Sequence, residues 1–361
     1  MSLLLARDDG DDVNCGSGGG DTGSTGLRIG AVFIVMVGSL FGALFPVLAK
    51  RTRWLAPRIP KGVFDFAKYF GSGVIIATAF IHLLSPALDE LGSPCLDPAW
   101  AVYPYALAIA MLSIFMIFIT ELIAFRWGTA KLASIGMAHD PHGHADGGHA
   151  AHGPEGREQN TVLSEGGAFD ETDHGKLEKR SNDSELAILE QAPSSAVDNA
   201  LTQIIGVAIL EFGVLLHSVL IGLTLAVTDD FITLFIVIIF HQTFEGLGVG
   251  SRLAYMDLPH KYAFVPIIGA LLYGITTPIG IAVGLGVRTT YNPDGTTASI
   301  VSGILDAFSA GILIYTGLVE LLAHEFLFNK EMITSSNGKL AYALCCMLAG
   351  CGIMALLGRW A

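Results

Sequence analysis

Eight long apolar runs constrain this chain more than any other feature: Leu27–Ala49, Val63–Leu91, Ala101–Phe125, Ala200–Val227, Phe231–Ala254, Ala263–Val287, Ala298–Phe326 and Leu340–Leu357. Each approaches or exceeds the roughly 20 residues that a helix needs to cross about 30 Å of hydrocarbon. A water-soluble core cannot absorb so many, because its surface helices keep a polar face. Inside lipid every backbone N–H and C=O must be paired within the segment, which selects helices for runs of this length. The composition agrees, with 52% hydrophobic and 15% charged residues over 361 positions and a mean hydropathy of +0.57. The expected fold is all-α: a polytopic membrane protein with three transmembrane helices, a long polar linker and five more.

Basic residues orient such a chain, because loops rich in Lys and Arg stay cytoplasmic. The loop after the first helix carries Lys50, Arg51, Arg53, Arg58 and Lys61, and the linker carries Arg126, Lys131, Arg157, Lys176, Lys179 and Arg180. Arg252 and Lys261, and then Lys330 and Lys339, fall on the same side if every run spans. Only Arg7, Arg28, Arg288 and Arg359 fall on the other. The expected layout has residues 1–26 as an acidic extracellular tail and 27–125 as helices 1–3. Residues 126–198 form a cytoplasmic loop, residues 199–361 form helices 4–8, and both termini are extracellular. No signal peptide is read at the start: Met1–Ala6 is short, and acidic Asp8–Asp12 follows at once. Outer segments are acidic, including Asp89, Glu90, Asp97, Asp229 and Asp230, and such a rim concentrates cations.

The linker is Gly-, Ser- and charge-rich without apolar periodicity, so it reads as disordered. It carries His139, His142, His144, His149 and His152, spaced for flexible, low-specificity metal capture. Neutral imidazole is needed, so this capture weakens with acidification. The sequon Asn182-Asp183-Ser184 falls on the cytoplasmic side of this layout and is expected to be unused. Cys15 and Cys95 lie in polar segments and can join if both face the outside, although connectivity is not readable from sequence.

Ionisable groups within membrane helices are costly and point to function. His82, Glu211, His217, His241, Glu245 and Glu320 all lie within apolar runs. His241 and Glu245 are i, i+4 and project from one helical face. Imidazole nitrogen and carboxylate oxygen suit zinc or ferrous iron. The segments His217-Ser218-Val219-Leu220-Ile221-Gly222 and His241-Gln242-Thr243-Phe244-Glu245-Gly246 share a His-polar-x-x-x-Gly form in helices of opposite direction, as a site between inversely related elements would. Glu211 lies about 120° around the helix from His217, facing the same pathway at another depth. His82 and Glu320 are read equally well as pathway or packing residues.

Two readings follow. The first is a transporter of divalent metal: zinc is the cargo, ferrous iron a further candidate, and no resident cofactor is expected. The second is a zinc-dependent intramembrane hydrolase, which would need three protein ligands and an activated water. His324-Glu325 opens a zinc-protease motif, but Phe328 stands where its second His is required. Nothing basic and aromatic-interleaved suggests nucleic acid. The lipid bilayer and a second copy of the chain, as a homodimer, are the remaining candidate partners.

Four segments also resemble a known family. These are Ala77-Thr78-Ala79-Phe80-Ile81-His82-Leu83-Leu84, the stretch from Glu211 to Gly222, His241-Gln242-Thr243-Phe244-Glu245-Gly246, and the stretch from Ser309 to Glu320. With the His-rich linker, they make the chain similar to the ZIP (Zrt/Irt-like) metal transporters, most of all their fungal zinc-uptake branch. The resemblance implies a 3+2+3 arrangement, with helices 1–3 and 6–8 as inverted repeats and helices 4 and 5 supplying the metal site. It implies His217, His241 and Glu245 as primary ligands and Glu211 as a pathway residue, with His82 and Glu320 serving the route in, the route out or proton handling. It further implies import into the cytoplasm across the plasma membrane by an elevator-like movement. Many relatives carry a carboxylate where this chain has Ile221, and some bacterial ones carry Asn and Asp where it has Ser218 and Gln242. One metal site is therefore expected here, completed by water or by one further residue.

Overall fold

A computed structural model describes residues 15, 19, 23–52, 56–134, 204–256 and 258–360. The linker histidines 139–152 and the sequon at Asn182 lie outside the described residues. Two compact units divide the chain. The larger comprises Met1–Glu121, Gly206–Met256 and Phe264–Ala361, and it holds every site residue discussed below. The smaller comprises Leu122–Ile205 and Asp257–Ala263. Its described parts include the single 3-10 turn His260–Tyr262.

Among the described residues, eight helices are long and apolar enough to cross a membrane. They are α1 (Thr25–Arg51), α2 (Lys61–Leu91), α3 (Tyr105–Ser134), α4 (Ile204–Val227), α5 (Phe231–Ala254), α6 (Val265–Val287), α7 (Thr296–Phe328) and α8 (Asn337–Leu357). The polytopic all-α fold is therefore as read from hydropathy. The ends differ in physically legible ways. α3 begins at Tyr105 rather than Ala101 because Tyr103 precedes Pro104 and is held extended at φ −131°, ψ 139°. Residues 98–102 form a 3-10 turn instead, capped by the Asp97 carboxylate accepting from Ala99 N–H at 2.8 Å. α3 also continues past Phe125 to Ser134, so the first residues of the expected loop are helical.

The interior packs in two groups. Ala31 and Val35 of α1, Leu225 and Ala226 of α4, Phe231, Phe235 and Ile238 of α5, and Ile281 of α6 form one apolar cluster. α2 packs elsewhere: on α8 through Phe70, Val74, Ala77 and Met354, and on α3 and α7 through Ala87, Leu91, Ala106 and Ala307. The groups meet at α4 and α7, where Gly213 rests on Ile312 and Leu313, and at α2 and α5, where Gly71 and Gly248 are so close that a Cβ on either would strike the other's backbone. Corresponding helices of the two expected triplets share their irregularities. α1 and α6 each hold an internal proline, Pro46 and Pro278, and α2 and α7 each carry a π-helical stretch. In α2 this stretch, Thr78–Leu84, ends just before Pro86. A proline ring collides with the carbonyl four residues back, here that of His82, and a widened turn relieves the collision.

One end of the larger unit is tied together by polar links. Arg28, fully buried, donates from Nη1 to the carbonyls of Ala226 (2.9 Å) and Leu225 (3.3 Å), from Nη2 to Thr228 O (2.7 Å) and from Nε to Gly23 O (3.0 Å). Its guanidinium also lies 4.6 Å from the Phe231 ring centroid. It thus satisfies carbonyls that the last turn of α4 leaves open and complements the negative end of that helix. At the same end Cys15 and Cys95 form a disulfide, with Cα atoms 5.2 Å apart. The Cys95 carbonyl accepts from Thr296 Oγ1 at the start of α7 (2.9 Å), and Gly19 rests on the backbone of Arg288 and Thr289 just beyond α6.

Candidate metal site between α4 and α5

The i, i+4 spacing on α5 does what helical geometry requires. His241 and Glu245 stand on one face, with Nε2 3.9 Å from Oε2. His217 of α4 comes against them, its ring centroid 5.5 Å from that of His241. One donor atom from each of His217, His241 and Glu245 falls within 4.8 Å of the others. All three are buried, at 2%, 1% and 0% exposure. The two matching glycines pack on other helices rather than on each other: Gly222 of α4 lies on the α6 backbone at Thr277 and Gly280, and Gly246 of α5 lies on the α1 backbone at Ser39 and Ala43.

His217 Nδ1 and Nε2, His241 Nε2 and Glu245 Oε1 have no hydrogen-bond partner among the described residues. An unpaired buried polar group costs about 1–3 kcal/mol, and one such atom from each of the three residues forms a donor set that a divalent cation satisfies. Two nitrogens and a carboxylate suit zinc or ferrous iron better than the hard cations, which prefer all-oxygen shells.

The other three candidates separate. His82 belongs with the trio in space, its ring 4.6 Å from that of His241, while its Nε2 is engaged by the Met354 carbonyl of α8 at 3.0 Å. Glu211 sits six residues before His217, about 9 Å along the helix, against Gly269 of α6. Glu320 pairs with Arg252 at 3.2 Å, and Arg252 lies two turns beyond Glu245 on α5, about 10 Å away. Nearby Tyr315 donates to Glu121 at 2.6 Å. The trio and His82 thus form one cluster, and Glu211 and Glu320 stand apart from it.

Two residues enter that sequence reasoning missed. Tyr273 of α6 donates from Oη to the Gln242 carbonyl (2.7 Å) and to Glu245 Oε2 (3.3 Å), steadying the carboxylate. Asp306 of α7, 7% exposed, puts Oδ1 3.6 Å from His217 Nδ1. The only signal for Asp306 was an acid within an apolar run, the same criterion that selected Glu211. Tyr273 gave none, since tyrosine is common in such runs.

Eight helices able to cross a membrane and a buried imidazole–carboxylate cluster on two of them fit a class: polytopic membrane proteins that move divalent metal ions. The family model described as ZIP zinc transporter matches residues 25–358. The chain belongs to that family. It is 42% identical to Zinc-regulated transporter 1 of Schizosaccharomyces pombe, over all of this chain and 92% of the relative. It is 41% identical to Zinc-regulated transporter 1 of Saccharomyces cerevisiae, over 94% of this chain and 88% of the relative. Fe(2+) transport protein 1 of Arabidopsis thaliana is 32% identical over 93% of this chain and 86% of its own length. The hydrolase reading is not supported, because ZIP zinc transporters are transporters and not enzymes. Three candidate ligands fit either reading, so the residues alone did not separate them.

Proposed function

We propose that this protein imports zinc into the cytoplasm across the plasma membrane, with ferrous iron as a second cargo, by binding the ion between His217, His241 and Glu245. The observation that carries the reading is the convergence of three buried donor groups from two neighbouring helices within 4.8 Å. A hydrated ion collects at the acidic outer rim and exchanges water for imidazole and carboxylate within the membrane. It leaves inward when access switches. His82, Glu211 and Glu320 serve the pathway on either side, and the linker histidines capture ions at the cytoplasmic face. Iron is included because the donor set suits it and because a relative is named for Fe(2+) transport.

The orientation rests on two independent supports. The Lys- and Arg-rich loops share one side. The Cys15–Cys95 disulfide joins the opposite side, and disulfides persist in oxidising compartments. Both termini are then extracellular, residues 126–198 are cytoplasmic, and two copies pair as a homodimer. The test is zinc-65 uptake in cells and in liposomes containing only this protein. His217→Ala and Glu245→Ala are each expected to abolish uptake at unchanged surface abundance. Uptake retained by both variants would remove the site from the pathway.

A further inference from the structure

Among the described residues, Asp306 is the one carboxylate from outside α4 and α5 that is paired with a member of the metal trio. It is buried, and its Oδ1 has no hydrogen-bond partner among the described residues. It faces Nδ1 of His217 at 3.6 Å. It is not one of the three groups whose donor atoms lie mutually within 4.8 Å, so it stands behind His217 rather than beside the ion. A neutral imidazole carries one N–H and one lone pair. A carboxylate only accepts, so in this buried setting it attracts the N–H and repels the lone pair. Nδ1 then carries the proton and Nε2, also unpartnered, presents its lone pair to the ion. A carboxylate behind a ligating histidine fixes the ring and raises its basicity, which is worth about 10–100-fold in metal affinity. A separation slightly beyond hydrogen-bond length shortens once a cation on Nε2 polarises the ring.

We propose that Asp306 is a positioning residue for metal uptake: from α7 it selects the tautomer of His217 and so decides which ring nitrogen the ion receives. This rests on His217 being a ligand, as proposed above. It adds that the carboxylate comes from the helix group that does not carry the trio, so an ion bound to α4 and α5 is felt by α7.

The experiment uses the purified full-length protein in detergent, with zinc and cobalt(II) as probes. Asp306→Asn is expected to weaken zinc binding about tenfold or more, with the cobalt d–d spectrum at saturation unchanged. Asp306→Glu should recover part of the affinity. Nitrogen-15 spectra of the wild-type histidines, with His217 assigned by its loss in His217→Ala, should show the Nδ1–H tautomer. Should Asp306→Asn fail to fold, that wild-type spectrum decides by itself. Wild-type affinity in Asp306→Asn, or an Nε2–H tautomer at His217, would overturn the inference. A thiolate-to-cobalt charge-transfer band in Asp306→Cys that is absent from the wild type would also overturn it, by making the residue a direct ligand. If His217→Ala abolishes binding while the Asp306 variants leave it intact, only this inference fails. If His217→Ala leaves binding intact, the proposed function fails first.

Discussion

Glu245 illustrates how a single side chain is prepared for a cation. It is fully buried, one oxygen receives the Tyr273 hydroxyl at 3.3 Å, and the other has no partner. Tyr273→Phe keeps the ring and deletes that hydrogen bond, worth about 1.5–3 kcal/mol to a charged acceptor. Zinc affinity is therefore expected to fall about 10- to 100-fold. A zinc titration of the purified variant checks this, and wild-type affinity would show that the hydroxyl serves only the Gln242 carbonyl. His241 and Glu245 were legible in the sequence because their relation is local, one helical turn on one face. His217 was legible because its hexapeptide repeats that of His241. Tyr273 and Asp306 were not, because each meets the site across a helix pair that no spacing along the chain encodes.

At the scale of elements, hydropathy located all eight spans but not their irregularities. The late start of α3 follows from Pro104, and the wide turn in α2 follows from Pro86, yet neither shows in a sliding average of hydrophobicity. Arg28 is another case. Loop charge counting placed it at the outer end of α1, but the structure buries it as a brace between α1 and the end of α4. Replacing it by methionine keeps the bulk and leaves several carbonyls without their donor. The expected loss is about 2–4 kcal/mol of stability, read as a lower unfolding midpoint in detergent. Arg28→Lys should recover only part, since one ammonium cannot reproduce the planar fork. An unchanged midpoint in the methionine variant would mean that water serves those carbonyls equally well.

Among the described residues the apolar packing falls into two groups, with the metal trio on helices of one and His82 and Asp306 on helices of the other. The disulfide closes a separation of 80 residues, and losing a native link of this kind typically costs about 2–5 kcal/mol. Cys15→Ser should lower the unfolding midpoint in the same way as reduction of the wild type, and the two treatments together should add nothing further. Additive effects would place a second reducible contact elsewhere. That same link has a mechanical consequence. Gly19 lies against the end of α6, and Cys95 hangs beside the head of α7. The backbone from Cys15 to Thr25 joins the disulfide covalently to the head of α1, and at full stretch it reaches about 35 Å. In the oxidised protein the head of α1 and the segment that carries Cys95 are therefore on a covalent leash of that length, which reduction releases.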